Sequence, residues 1–172
     1  IKNTVAHYDD IRVYPCTVNF TADRTGIITK ALKIKAGGNS PLMTAAACGA
    51  IGGVDTSYNT DVILTSTSNT AGFSLSPSSP WPWPSTRVLT LVNGQANFYY
   101  RDYNIGNPTI TATPVSAPLS PGTQVESIRA CKFDIPPFTI RTSETSALLN
   151  AVARGYYSET DTGFNETVVL ST

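Results

Sequence analysis

The sequence predicts an all-β protein, an antiparallel β-sandwich, and three observations carry that prediction. Three short alternating segments lie between Pro84 and Pro114. The polar positions are filled mainly by 24 Thr and 16 Ser, and only 14% of the 172 residues are charged. Part of the sequence also repeats after about 106 residues. Short β-branched strands, uncharged polar faces and a repeat of this length are typical of tandem sandwich modules.

The first two of these segments flank Asn93-Gly94, the dipeptide preferred in tight turns that need positive φ at both central positions. A two-residue hairpin would place opposed residues on a shared face of the sheet. That register predicts an apolar face of Leu89, Leu91, Ala96 and Phe98 and a polar face containing Thr90 and Asn97. A second turn at 102–106 leads into Thr109–Thr113, where Ile110 and Ala112 alternate with threonines.

The series VLTLVNGQANFYYRD, followed by Gly106 and PTITATP, resembles the last strands of invasin/intimin-type bacterial immunoglobulin-like repeats. The resemblance covers residues 61–114. It implies an immunoglobulin-like sandwich, an extracellular or cell-surface location, and a structural or adhesive role. In such folds the strands on either side of Asn93-Gly94 lie in opposite sheets, so the resemblance implies an arch instead of a hairpin. Both geometries bury the same residues.

Upstream of this stretch, the alternating patterns predict four further strands. They lie around Val18 and Phe20, at 27–36, at 61–68 and at 72–76. The segment 37–60, with its small-residue centre MTAAACGAIGG, is predicted to be a long loop. The proline-rich segment 77–85 is predicted to be polyproline II.

The internal repeat divides the chain. Asp55–Ser66 aligns without gaps on Asp161–Thr172, and Cys16-Thr-Val-Asn-Phe matches Cys131-Lys-Phe-Asp-Ile. The alignment predicts a complete module at 16–114, a linker at 115–123 and the first strands of a second module at 124–172. Within that second module the repeat predicts a strand over 143–154, whereas Ser143 as a cap and Gly155 after the end would favour a helix.

A module with only three strands has an open edge and a half-buried apolar face. Either the chain belongs to a longer tandem array that continues beyond Thr172, or another subunit supplies the missing strands by β-strand addition. Residues 1–15 contain one alternating strand, which could end a preceding domain or act as a donor. Its residues are Asp10, Ile11, Arg12, Val13 and Tyr14. The expected partners are therefore copies of the chain or neighbouring immunoglobulin-like modules.

Composition argues against several functions. The 12 basic and 12 acidic residues cancel, so nothing steers the chain to nucleic acid or an anionic membrane, and no apolar run is long enough to span a bilayer. His7 is the only histidine, so no histidine-based triad can be built and the chain is not expected to be an enzyme. Calcium ligands could come from six aspartates, but without EF-hand spacing we interpret them as turn and strand-end residues. They are Asp9, Asp10, Asp55, Asp61, Asp102 and Asp161.

The aromatic residues offer an alternative function, a carbohydrate-binding accessory module of a secreted enzyme. Trp81 and Trp83 are the candidate sugar contacts, with Tyr99, Tyr100 and Tyr103 nearby in sequence. The competing interpretation is a proline-fixed lid packed on the edge of the sandwich.

Three cysteines leave at least one without an intrachain partner, and no Cys-x-x-Cys motif is present. The strand order of an immunoglobulin-like sandwich implies that Cys16 lies beside Cys48, which predicts a disulfide that stabilises by about 3 to 4 kcal/mol through loop closure. Cys131 would then be a free or intermolecular thiol. The alternative is that all three are buried and reduced.

Overall fold

The computed structural model describes residues 22–49, 53–116 and 119–169. These residues form twelve strands and no helix. The strands are β1 (Ala22–Ile27), β2 (Lys33–Lys35), β3 (Met43–Gly49), β4 (Asp61–Ser66), β5 (Gly72–Ser74), β6 (Arg87–Thr90), β7 (Gln95–Arg101), β8 (Thr109–Pro114), β9 (Gly122–Val125), β10 (Ser127–Arg129), β11 (Lys132–Asp134) and β12 (Val152–Arg154). His7, the candidate donor strand Asp10–Tyr14, Cys16 and the strand at Val18 and Phe20 lie outside the described residues.

Two four-stranded antiparallel sheets form an immunoglobulin-like sandwich. One has the order β1-β3-β7-β5 and the other the order β6-β4-β8-β9. Alternate residues of each sheet face the shared core. The largest fully buried core side chains are Met43, Phe73, Phe98 and Tyr100 from the first sheet and Val62, Leu64 and Ile110 from the second. The predicted all-β sandwich is confirmed.

The segment predicted as a long loop contains the central strand β3, so that part of the prediction is wrong. β3 pairs with β1 on one side and with β7 on the other, and five of its residues from Ala45 to Gly49 are buried. The consecutive buried residues show that β3 is covered on both faces of its sheet. Such a strand has a continuous run of small or apolar residues instead of an alternating pattern. The alanine run looked like a loop because alanine has a low intrinsic preference for strands.

The connection at Asn93-Gly94 is an arch. Asn93 and Gly94 have φ values of 51° and 75°, and Val92 and Gln95 exchange backbone hydrogen bonds across the turn. β6 then pairs with β4 in one sheet, while β7 pairs with β3 in the other. Leu89, Leu91 and Phe98 are buried, as either geometry requires.

The first sandwich extends past the predicted linker at 115–123. β9 pairs with β8, and β10 pairs in parallel with β2. Ile128 is completely buried in the core, and the Leu32 N–H donates to the buried Glu126 carboxylate at 2.7 Å. Residues 122–129 thus belong to the first module, since Ile128 is buried in its core and the Glu126 carboxylate is bonded to Leu32.

After β10, the second repeat is a two-stranded hairpin. β11 and β12 pair antiparallel through Phe133 and Ala153. Neither the helix nor a long strand forms over 143–154: only Val152–Arg154 is a strand.

Candidate functional site

The second repeat reproduces the hydrogen bonds of the first at an offset of 106 residues. The Asp55 N–H donates to Ala47 O at 3.0 Å, and the Asp161 N–H donates to Ala153 O at 2.9 Å. Both aspartates accept a bond from the N–H two residues on, Ser57 in one and Gly163 in the other, at 3.0 Å. The two repeats therefore share one local fold, a strand followed by an aspartate turn.

In the first repeat, that strand and turn hold the arch at Asn93-Gly94. Four hydrogen bonds, each donated by a backbone N–H, hold the arch in place. They are Ala47 N–H to Gly94 O at 2.9 Å, Gly94 N–H to Tyr58 O at 2.8 Å, Asn93 N–H to Asn59 Oδ1 at 3.0 Å and Leu91 N–H to Thr60 O at 2.7 Å.

The equivalent groups of the second repeat are Ala153 N–H, Phe164 O, Asn165 Oδ1 and Glu166 O, which we call the open receptor. None of them bonds to another residue in the described part of the chain. The N–H of Ala153 points away from β11, because the Ala153 carbonyl accepts from the Asp161 N–H on the other side, and the N–H and C=O of one strand residue point to the same edge.

The second repeat exposes apolar side chains, including the counterpart of a residue that is buried in the first repeat. Val62 in β4 is 0% exposed, whereas Val168 at the equivalent position is 39% exposed and Val169 is 85% exposed. Phe133, Phe138 and Ile140 are also at least two-fifths exposed. The second repeat thus presents both unpaired backbone groups and an uncovered apolar surface.

A short junction connects this open repeat to the first module. The Ala130 N–H donates to Asp161 Oδ2 at 2.8 Å, and Arg129 lies 3.7 Å from Asp161 Oδ1. The Tyr103 ring packs edge-on against Tyr156 with 4.4 Å between centroids. Asp161 is only 5% exposed, so its carboxylate ties the turn of the second repeat to the end of β10.

A cavity of about 520 Å³ lies between the open repeat and β2. Its walls include Ile34, Phe164 and Val168, with the cationic side chains of Lys33 and Arg129 at the rim. Cys131, a half-buried free thiol, contributes to the same wall. Cys48 is buried in β3, but Cys16 lies outside the described residues, so their disulfide stays a prediction.

The predicted sugar contacts differ from one another. Trp83 is 5% exposed and donates its Nε1–H to Ser79 O at 2.9 Å, with the Arg101 guanidinium 4.6 Å from its ring centroid. Trp83 also lies directly over Gly72, where a Cβ would meet it at 2.7 Å. It therefore packs as the lid, whereas Trp81 is 37% exposed, with the Arg101 guanidinium 5.4 Å from its ring centroid.

An aromatic patch forms around Trp81, and two of its members were missed by the sequence analysis. Trp81 lies 4.7 Å from Tyr103, and Tyr103 contacts both Tyr156 and Tyr157 of the second repeat. Both of these tyrosines are more than half exposed. The adjacent Tyr-Tyr in a turn was the only sequence signal, because nothing local places residue 156 beside residue 103.

Tyr99 and Tyr100 are not part of this patch. Tyr100 is buried, and its hydroxyl donates to Asp102 Oδ2 at 2.9 Å. Asp102 also accepts bonds from Ser68 at 2.8 Å and Thr70 at 2.6 Å. Burial raises the pKa of the Tyr100 phenol, the Ser66 hydrogen bond opposes that shift, and the Asp102 carboxylate adds to it.

The candidate calcium ligands within the described residues are engaged in structural bonds, and Asp9 and Asp10 lie outside those residues. Asp61 accepts from Thr90 at 2.7 Å, and Asp55, Asp102 and Asp161 hold the turns and junction described above. Within residues 22–49, 53–116 and 119–169, no three acidic, histidine or cysteine side chains are close enough together to hold a metal ion. The same residues contain no helix long and apolar enough to cross a membrane.

Comparison with known proteins gives likenesses of fold alone. No protein-family model matches the chain. No curated protein matches it. A glycosyl hydrolase family 2 member from Bacteroides cellulosilyticus is similar at 15% identity and a TM-score of 0.47, over 63% of this chain and 14% of the hydrolase. Domains 5–6 of the S-layer protein SbsC are similar at 11% identity and a TM-score of 0.41, over 80% of this chain and 64% of that fragment. A PapD-like domain of human CEP192 is similar at 13% identity and a TM-score of 0.32, over 74% of this chain and 94% of that domain. The chain spans a small part of the hydrolase and less than two thirds of the S-layer fragment. The strand order given above identifies the fold as an immunoglobulin-like sandwich.

Proposed function

We propose that this chain is a structural or adhesive segment of an extracellular or cell-surface protein of the invasin/intimin-like class and has no enzymatic activity of its own. The first module is a rigid spacer, and the second repeat is an assembly point completed by strands of a neighbouring module or subunit. The observation that carries the proposal is the exposure of Val168, whose counterpart Val62 is fully buried. Burying such a surface drives association.

Sedimentation velocity over a wide concentration range tests this proposal. We expect the 172-residue chain to associate as its concentration rises, because the exposed apolar surface of the second repeat becomes buried between subunits. The double variant Val168→Ser, Val169→Ser should remain monomeric. Val115→Ser is the matched control, since Val115 is an equally apolar residue, 59% exposed, in the first module. A wild-type chain that stays monomeric throughout would refute completion by another subunit and leave a neighbouring module as the source of the missing strands.

The aromatic patch favours a second candidate function, glycan binding. Trp81, Tyr156 and Tyr157 are partly exposed members of one aromatic cluster around Tyr103, and exposed aromatic rings stack on sugar rings. Glycan titration should quench the tryptophan fluorescence of the wild-type protein and of Tyr99→Phe, but not that of Trp81→Phe. Quenching that persists in Trp81→Phe would contradict this assignment, because the remaining Trp83 is buried.

A further inference from the structure

The second repeat contains the acceptor half of an interaction whose other half is visible in the first. In the first module, the occupant is Leu89–Phe98, which combines apolar strand residues, the Asn-Gly turn and a second apolar strand. Its turn residues have positive φ, which places the Gly94 carbonyl and amide within reach of Ala47 and Tyr58. The open receptor carries the same groups in the same order, 106 residues later.

We propose that the open receptor binds a strand–Asn-Gly–strand segment, in the geometry that Leu89–Phe98 adopts in the first module. This inference rests on the proposed function and specifies the chemistry of the partner. The partner turn would accept one bond from Ala153 N–H and donate three, to Phe164 O, Asn165 Oδ1 and Glu166 O. Its apolar strand residues would cover Val168 and Phe133.

The receptor also dictates a glycine in the partner. In the first module, a Cβ on Gly94 would collide with the backbone carbonyl of Asp55, and Gly94 has a φ of 75°. Asp161 holds the equivalent turn in the second repeat, with Phe164 N–H bonded to its carbonyl as Tyr58 N–H is bonded to that of Asp55. A partner with any larger residue at that position would lack the room and the backbone conformation.

The cavity beside the open repeat supports the same occupant. It lies beside Phe164 and Val168 and so continues the receptor toward β2. In the first module, Tyr58 and Val62, the counterparts of Phe164 and Val168, belong to the same apolar cluster as Leu91 and Phe98 of the arch. A segment that brings apolar residues on both sides of its turn would fill this cavity, whereas a single extended strand would reach only one side.

A peptide with the sequence of residues 87–101, RVLTLVNGQANFYYR, is the probe for this proposal. Fluorescence anisotropy of the labelled peptide should show one site on the full chain. The same peptide with Gly94→Val should fail to bind. In the protein, Ala153→Pro removes one receptor donor without removing a bond between β11 and β12, and should weaken binding about tenfold. Ala151→Pro, two residues earlier and outside the receptor, should leave binding unchanged.

Two results would overturn the proposal. Equal affinity of Ala153→Pro and wild type would place the peptide elsewhere, for example in exchange for the arch of the first module. If the Gly94→Val peptide bound with the same affinity as the unmodified peptide, the Asn-Gly turn would not be recognised by the receptor. Failure is distinguishable from failure of the proposed function: a chain that self-associates through Val168 and Val169 but ignores the peptide overturns the occupant and leaves the assembly role standing.

Discussion

Gly94 meets two requirements at one position, a positive φ and close approach to the Asp55 carbonyl. Gly94→Ala should lower the free energy of unfolding by about 2 kcal/mol or more, since strain and collision add. Gly37→Ala is a matched control: its φ is 77°, but a Cβ there meets only the movable rings of Tyr156 and Tyr103. Urea unfolding of both variants checks this, and equal losses would show that the Asp55 contact is unimportant.

Tyr100 predicts a pH dependence at the same scale. Its pKa in the folded protein is raised above the ordinary value of about 10, so the folded state holds the proton more tightly than the unfolded state. The contribution of protonated Tyr100 to the free energy of unfolding is fully present below a pH of about 10. It is lost as the pH rises further, by at most about 1.4 kcal/mol per pH unit.

Tyr100→Phe should therefore cost about 1 to 3 kcal/mol at neutral pH, because Asp102 loses a buried donor. It should also flatten the decline of stability above pH 10. Tyr99→Phe, at the half-exposed neighbouring position on β7, serves as the control. Urea unfolding at several alkaline pH values measures both effects. An unchanged alkaline slope in Tyr100→Phe would show that another group causes the decline.

At the scale of elements, the sequence predicts a strand well where one face of the sheet is exposed to solvent, and poorly where both faces are buried. β4 begins at the predicted residue, and β8 contains the predicted alternation of Ile110 and Ala112 with threonines. β3 was missed because its burial comes from neighbours on both sides, which the local sequence does not contain. The arch was ambiguous for a related reason: the turn chemistry of Asn93 is local, but the sheet that each strand joins is not.

The site was predictable to a similar extent. The repeat that aligns Asp55 with Asp161 was visible in the sequence, and in the structure both aspartates form the same turn. Trp81 was identified from its proline-rich context, whereas Tyr156 required the junction to be known. The Asp161 bond to Ala130 likewise depends on a tertiary contact 31 residues apart in sequence.

The junction supplies a prediction for these elements. Asp161→Ala removes a buried carboxylate that bonds Ala130 and Gly163, and should accelerate amide hydrogen exchange at both residues by more than tenfold. Asp134→Ala is the control, because its ion pair with Arg154 at 3.0 Å is largely exposed and worth little. Equal exchange rates in Asp161→Ala and wild type would contradict the anchoring role of this turn.

For the whole molecule, the cysteines give a countable prediction. If Cys16 and Cys48 are joined, alkylation of the unfolded but unreduced chain should label one thiol, Cys131, and alkylation of the unfolded chain after reduction should label three. Peptide mapping by mass spectrometry identifies the pair. Three labelled thiols without reduction would show that the disulfide does not form and that its expected stabilisation of about 3 to 4 kcal/mol is absent.

The parallel pairing of β2 with β10 has a mechanical consequence. Tension entering before Lys33 and leaving after Arg129 pulls these two neighbouring strands in opposite directions, so their hydrogen bonds are sheared together. The β11–β12 hairpin is antiparallel and would instead unzip one bond at a time from its open end. In a pulling experiment on a single molecule, we expect the second repeat to yield at low force and the first module to hold. A surface protein built this way would lengthen at its assembly point while its spacer stays folded.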